Sequence, residues 1–455
     1  MDRRRVITVI ACLVAAFAAA LVSRQTEQQP KNEITPSVGK LPAEIVAAIP
    51  ELKGDSLTDR AVAKARALAI ESPDKAEAWV TLADCLMQKA RDTTDESFYD
   101  PAESAYARAV RLEPQNAAAI TGMAWVKGDR HLFDESIEWA KKALTVDPAN
   151  APAFGIMGDA ALELGDYDGA FEHYQKMMDL RPDLSSYSRG AYLLWVTGNR
   201  PKALSLMERA IRAGAPFAEN TAWCRARLAL MLFHQGAYLP AEQALAPALE
   251  SAPRNVHVLL TAGRIKTALQ DYPAAKELYL RAVEFTPNHE ALAALGDLAA
   301  ATGAKEEAEK YYRQVEELHL VHRAKGAHDH MQMAHFYADH DRELIEALRI
   351  AEQRKLTRNV FEADTLAWVY FRNGQIEKAQ EAIKRALAQN TPDPAIQYHA
   401  GMIAARAGDR VAAQKHLGTA LSWNPRFDLR DAAVAVRTLE ELGARSGQVA
   451  ESANE

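Results

Sequence analysis

Three cysteines in 455 residues, Cys12, Cys85 and Cys224, lie too far apart to suggest a disulfide framework, so stability must come from packing. Basic runs are missing beyond the first residues, and the formal charge is −7. That balance lacks the basic surface that phosphate backbones require, and nucleic acid is not expected as a partner. No glycine-rich phosphate loop, Gly-x-Ser-x-Gly elbow or His-Glu-x-x-His pair occurs. The stretches "GDYDGAF" and "GARSG" are turn and tail sequences, and the acidic residues scatter over helix surfaces. No catalytic constellation results, so neither an enzyme nor a bound cofactor is expected. Aromatics are only 7% against 48% hydrophobic residues, with alanine dominant, which favours closely packed short helices over sheet.

A single long apolar run is present, from Val6 to Val22 behind three arginines. It reads as an export signal or a short membrane anchor over residues 1–23, with small-x-small cleavage sites at Ala16–Ala18 and Ala18–Ala20. Its length is at the lower edge of what spans a bilayer, and the arginines would hold the N-terminus in the cytoplasm. Residues 24–54 follow as a polar, proline-bearing linker with a short pre-helix.

The dominant signal is a repeat. Pro114, Pro148 and Pro182 stand 34 residues apart, as do Pro253 and Pro287. Two helices of about a dozen residues plus their turns fill that interval. Small residues let the helices cross closely, glycine frees the turn, and proline ends the second helix. A lone hairpin cannot bury its apolar face, so the hairpins must stack. In "AFGIMGDAALELGDYDGAFEHYQKMMDLRP" the pattern is carried by Phe154, Gly158, Gly165, Tyr167, Ala170, Tyr174 and Pro182. Gly263, Tyr272, Ala275, Tyr279, Ala282 and Pro287 repeat it, as do Leu366, Ala367, Tyr370, Gly374, Ala379 and Ala386.

These motifs resemble the tetratricopeptide repeat family, in a bacterial exported or membrane-anchored form. The resemblance implies an all-α fold, a right-handed α-solenoid of stacked hairpins. About ten repeats are expected over residues 55–426, then a capping helix and disordered tail over 427–455. In that family the first helices line a concave face that binds peptide segments of other proteins. The matching positions are Asp84, Trp125, Asp159, Leu230, Phe233, Arg264, Asp297, His335, Trp368, Phe371, Met402 and Arg406. Trp125, Phe233, Trp368 and Phe371 are the expected aromatic anchors; Asp159, Arg264, His335 and Arg406 complete the expected contact set. Chaperone-binding members grip a C-terminal carboxylate through lysine and asparagine. The matching positions here carry aspartate, tryptophan and histidine, which do not fit that ligand.

Six of the thirteen histidines fall within "LHLVHRAKGAHDHMQMAHFYADHD": His319, His322, His328, His330, His335 and His340. His328 and His335 share a helix face but stand about 10 Å apart along it, too far for one ion. His335 and Asp339, four apart, could supply two ligands, with a third needed from a neighbouring repeat. No metal is assigned to them on sequence alone.

The expectation is a scaffold that holds partner proteins, envelope or membrane-associated, through its concave face. It would sit anchored in the inner membrane with the solenoid in the periplasm, or be secreted to the periplasm. The alternatives are a self-associating assembly protein and a metal- or pH-responsive module built on His319–His340.

Overall fold

The computed structural model describes residues 41–452 apart from positions 53, 55, 215–216 and 325–329. All regular structure among the described residues is helical. Ten hairpins succeed one another, from Ala76–Thr93 with Tyr99–Leu112 to Pro394–Ala407 with Arg410–Trp423. Leu57–Glu71 packs ahead of the first hairpin, and Asp431–Ser452 follows the last. This is the all-α stacked solenoid that the repeat pattern implies.

Local chemistry starts the helices where they start. Asn116, Asn150, Asn255 and Asn288 each follow a repeat proline by one or two residues. Each accepts a hydrogen bond from the backbone N–H three residues on, capping a first helix. Three crossings are set by glycine facing tyrosine, at Gly158, Gly263 and Gly296. A Cβ on Gly158 would stand 2.4 Å from the Tyr174 ring, and one on Gly296 would stand 2.3 Å from Tyr312. The tyrosine then reaches past the glycine, and its hydroxyl donates to the next residue: Tyr174 to Asp159 and Tyr312 to Asp297, both at 2.8 Å.

The winding is tight enough that successive superhelical turns touch. Thr286 Oγ1 donates to the Thr93 carbonyl at 2.6 Å, and Asn359 Nδ2 to that of Glu163 at 3.2 Å. Thr391 Oγ1 donates to Val196 at 2.6 Å and Asn424 Nδ2 to Phe233 at 2.7 Å. These partners are 191 to 196 residues apart, just under six 34-residue repeats. The acceptors lie in the last turn of first helices, and the donors sit in the connections between hairpins one superhelical turn later.

No helix among the described residues is long and apolar enough to cross a membrane. Even the 20-residue helix Lys305–Ala324 opens on Lys305, Glu306 and Glu307 and carries charge along its length. On this finding the expected transmembrane helix, the membrane as a partner and the inner-membrane placement are withdrawn. Residues 1–23, on which those expectations were built, lie outside the described residues.

Two glycines test the seam between turns. Gly165 and Gly303 occupy equivalent hairpin turns at φ +73° and +83°. At Gly165 a Cβ would lie 2.3 Å from the Arg358 carbonyl carbon, whereas at Gly303 it meets nothing within 4 Å. Gly303→Ala should cost about 1 kcal/mol from left-handed backbone strain. Gly165→Ala should cost about 3 kcal/mol, because the docked turn must also shift. Urea unfolding of both variants measures the difference, and equal losses would mean that the seam is absent in solution.

Candidate functional site

The inner face forms a partly open pocket. First helices of seven consecutive hairpins, from Leu184–Val196 to Pro394–Ala407, converge on one cavity of about 520 Å³. Its wall combines aromatics (Tyr192, Trp195, Phe233, Phe336), cations (Arg227, Arg264, Arg430) and acids (Glu290, Asp297, Asp339, Asp431). The C-terminal stretch from Arg426 to Asp431 closes one side. Arg426 is fixed there by Nη1, which donates to the Ala268 carbonyl at 2.8 Å.

Several charges inside are paired. Arg264 Nη2 meets Glu290 at 2.5 Å. His340 Nε2 lies 3.0 Å from Asp297, and Arg430 Nε lies 3.3 Å from the same oxygen. Burial acts to raise the Asp297 carboxyl, but the His340 hydrogen bond and the Arg430 charge outweigh it and hold the group below its ordinary range. His399 is 2% exposed, and its Nδ1 donates to Asp364 at 2.9 Å. Burial alone would lower this imidazole; the charge and hydrogen bond of Asp364 override it and push the group up to about 9. Asp431 moves the other way: burial, then repulsion from Asp428 and Asp339, pushes its carboxyl up to about 7.

The contact residues expected from the sequence divide among several environments. Leu230, Phe233, Arg264, Asp297 and His335 line the cavity together. Phe233 is only 3% exposed, since its ring packs in a core shared by its own hairpin and the next, with Ala229, Ala241 and Val258. Trp368 is buried as well, which corrects its reading as an exposed anchor. Its ring stacks on His399 at 4.2 Å and its Nε1 donates to Asp339 at 2.8 Å. Phe371 stacks in turn on Trp368 at 4.8 Å. Asp159 is held by Arg189 at 2.8 Å, and half-buried Trp125 bonds Asp129. Asp84 accepts from Tyr106 at 2.6 Å, and Arg406 is exposed at the end of its helix. Neither Trp125 nor Arg406 lines the cavity.

The histidines scatter likewise. His319 is buried beside His289, with ring centroids 6.1 Å apart. His335 Nε2 lies 3.3 Å from Asp339, and His340 reaches Asp297. His328 and the side chains of His322 and His330 lie outside the described residues. His399 and Asp431 were not anticipated. His399 carries a faint signal, one helical turn before Met402 on the same inner stripe, whereas Asp431 lies beyond the last repeat proline, where periodicity says nothing.

A family model described as tetratricopeptide repeat matches residues 121–185, 260–319 and 365–414. The fold is a tetratricopeptide-repeat solenoid. The chain is 27% identical over 196 residues to the BBSome complex member BBS4 of Bos taurus, which is 42% of this chain and 36% of that protein. It is 29% identical over 92 residues to a small glutamine-rich tetratricopeptide repeat-containing protein 2 of Mycosarcoma maydis, 20% of this chain and 26% of that one. The solenoid thus matches about a quarter to a third of the length of these curated relatives. Among solved structures, yeast Tom70 aligns over 86% of this chain and 93% of its own, at 14% identity and a TM-score of 0.37.

The His399–Asp364 pair makes stability depend on pH. A folded pKa of about 9 stands above the ordinary histidine value of 6.5. The pair's stabilisation is therefore complete below pH 6.5 and is lost as pH rises through 9, on the order of 3 kcal/mol in all. Chelator-treated protein should lose stability across that window in urea unfolding, and Asp364→Asn should flatten the loss. An identical slope in both proteins would refute the assignment.

Proposed function

We propose that this protein is an interaction scaffold that takes a segment of a partner protein into the cavity lined by its wound hairpins. Phe233, Arg264 and His335 are the proposed contacts, with Leu230 and Asp297 beside them. The observation that carries the reading is the convergence of seven first helices on one cavity that offers aromatic rings and both signs of charge. Its 520 Å³ is the size of a pocket for a few side chains, not for a folded domain or a whole helix about 10 Å across. A loop or terminus of the partner is the proposed occupant, with an aromatic or mixed-charge segment the best complement. The bovine relative is by name a member of a protein complex, which agrees with a role in holding proteins together.

A photo-reactive residue at Leu230, inside the cavity, and another at Phe171, exposed on an outer helix, test this in cell extract. Capture of one heterologous protein from position 230 alone is expected, reduced at least tenfold by Arg264→Ala. Capture of a second copy of the chain would replace the scaffold reading with self-association. Equal capture from both positions, or none from 230, would remove the cavity from consideration.

A further inference from the structure

One corner of the cavity has the chemistry of a metal site. Ligating atoms of Asp339, His399 and Asp431 all lie within 4.8 Å of one another. They come from three separate elements: the helices His330–Asp339 and Pro394–Ala407, and the start of Asp431–Ser452. We propose that these three side chains bind one divalent transition-metal ion of the zinc type, with His335 adjacent as a fourth ligand.

The imidazole is already positioned for this. Its Nδ1 is held by Asp364 at 2.9 Å, which leaves Nε2 as the ligating nitrogen. A carboxylate on the far nitrogen is the arrangement that fixes ring orientation and raises basicity in metal-binding histidines. Trp368 supports two of the ligands at once, stacking on His399 at 4.2 Å while its Nε1 holds Asp339 Oδ1 at 2.8 Å. Asp339 Oδ2 lies 3.3 Å from His335 Nε2. That spacing is about the edge of a tetrahedron with bonds of about 2 Å, the length of zinc–nitrogen and zinc–oxygen bonds. The atoms of Asp339, His399 and Asp431, up to 4.8 Å apart, need to close by up to about 1.5 Å to reach it.

Charge points the same way. Asp297, Asp339, Asp364, Asp428 and Asp431 crowd this corner, and Arg430 is the permanent cation in ion-pair contact there, with Asp297 at 3.3 Å and Asp339 at 3.8 Å. Arg430 is also tied through Nη1 to the Asp339 carbonyl at 2.9 Å. Five carboxylates thus share one permanent cation and the His399 imidazole in this corner, a surplus of negative charge that a divalent cation would offset. Two imidazole nitrogens and two carboxylates suit zinc, cobalt or nickel better than calcium and magnesium, which take all-oxygen shells. On binding, the metal takes the Nε2 lone pair, and protons held on His399 and Asp431 leave to solvent. The site does not depend on partner binding, because its test reads the metal alone.

Full-length protein is stripped with chelator and titrated with Co²⁺, followed by ligand-field absorption, and with Zn²⁺, followed by calorimetry. One ion per chain is expected, with a Zn²⁺-dependent rise in Tm. Asp431→Asn should bind at least tenfold more weakly and lose the Tm rise, while Asp364→Asn should weaken binding about tenfold without abolishing it. His173→Gln, on an outer helix, should bind as the parent does. Circular dichroism confirms that each variant is folded; should Asp431→Asn fail to fold, Asp339→Asn takes its place. Sub-stoichiometric binding, or affinity indifferent to Asp431 and Asp339, would overturn the proposal.

Discussion

The last carbonyls of a helix have no partner within it, and burying one unpaired costs about 1–3 kcal/mol. In this solenoid several of those carbonyls are met by side chains from the following superhelical turn. Thr93, Glu163 and Val196 each end a first helix, and their carbonyls accept from Thr286, Asn359 and Thr391. Asn424 and Arg426 do the same for Phe233 and Ala268. An unmet need of one hairpin thus becomes a seam that locks successive turns together. Tyr167 adds to the seam from the other helix of its hairpin, its hydroxyl accepting from the Val360 N–H at 2.8 Å.

Closing the seam alters what the inner face is. In an open solenoid the first helices would show their inner stripe to water, and a lone aspartate or histidine there would titrate near its ordinary value. Here the same stripe looks across a pocket only partly open to solvent. Asp297 must share His340 and Arg430, Asp339 must share Trp368 and His335, and His399 must hold a proton against Asp364. Low local polarity strengthens each of these pairings and penalises each group that lacks one. Asp431 shares Tyr398, Arg430 and His399 with the other acids of this corner.

Much of the fold was legible because its code is local. Prolines at intervals of 34 and a glycine facing a tyrosine across three of the hairpins are short-range requirements that appear in the sequence as periodicity. The inner stripe was legible for the same reason, and Phe233, Arg264 and His335 do face one cavity. Trp368 was read as an exposed anchor because periodicity shows which face a residue occupies, not what lies across from it. His399 and Asp431 were missed because their significance depends on Asp339, 60 and 92 residues away in the chain. The apolar run at Val6–Val22 drew a membrane expectation that no helix among the described residues supports.

The sequence by itself determined the helical hairpin, its caps and crossings, and the faces it must bury, since each depends on residues within one repeat length of each other. Tertiary structure alone decided how far the hairpins wind before they meet again. That is set by small rotations accumulated over nearly six repeats and then locked by side chains more than 190 residues from the carbonyls they satisfy. The same winding shapes the cavity, and the packing of neighbouring hairpins with the C-terminal helix gathers Asp339, His399 and Asp431, which no spacing along the chain records.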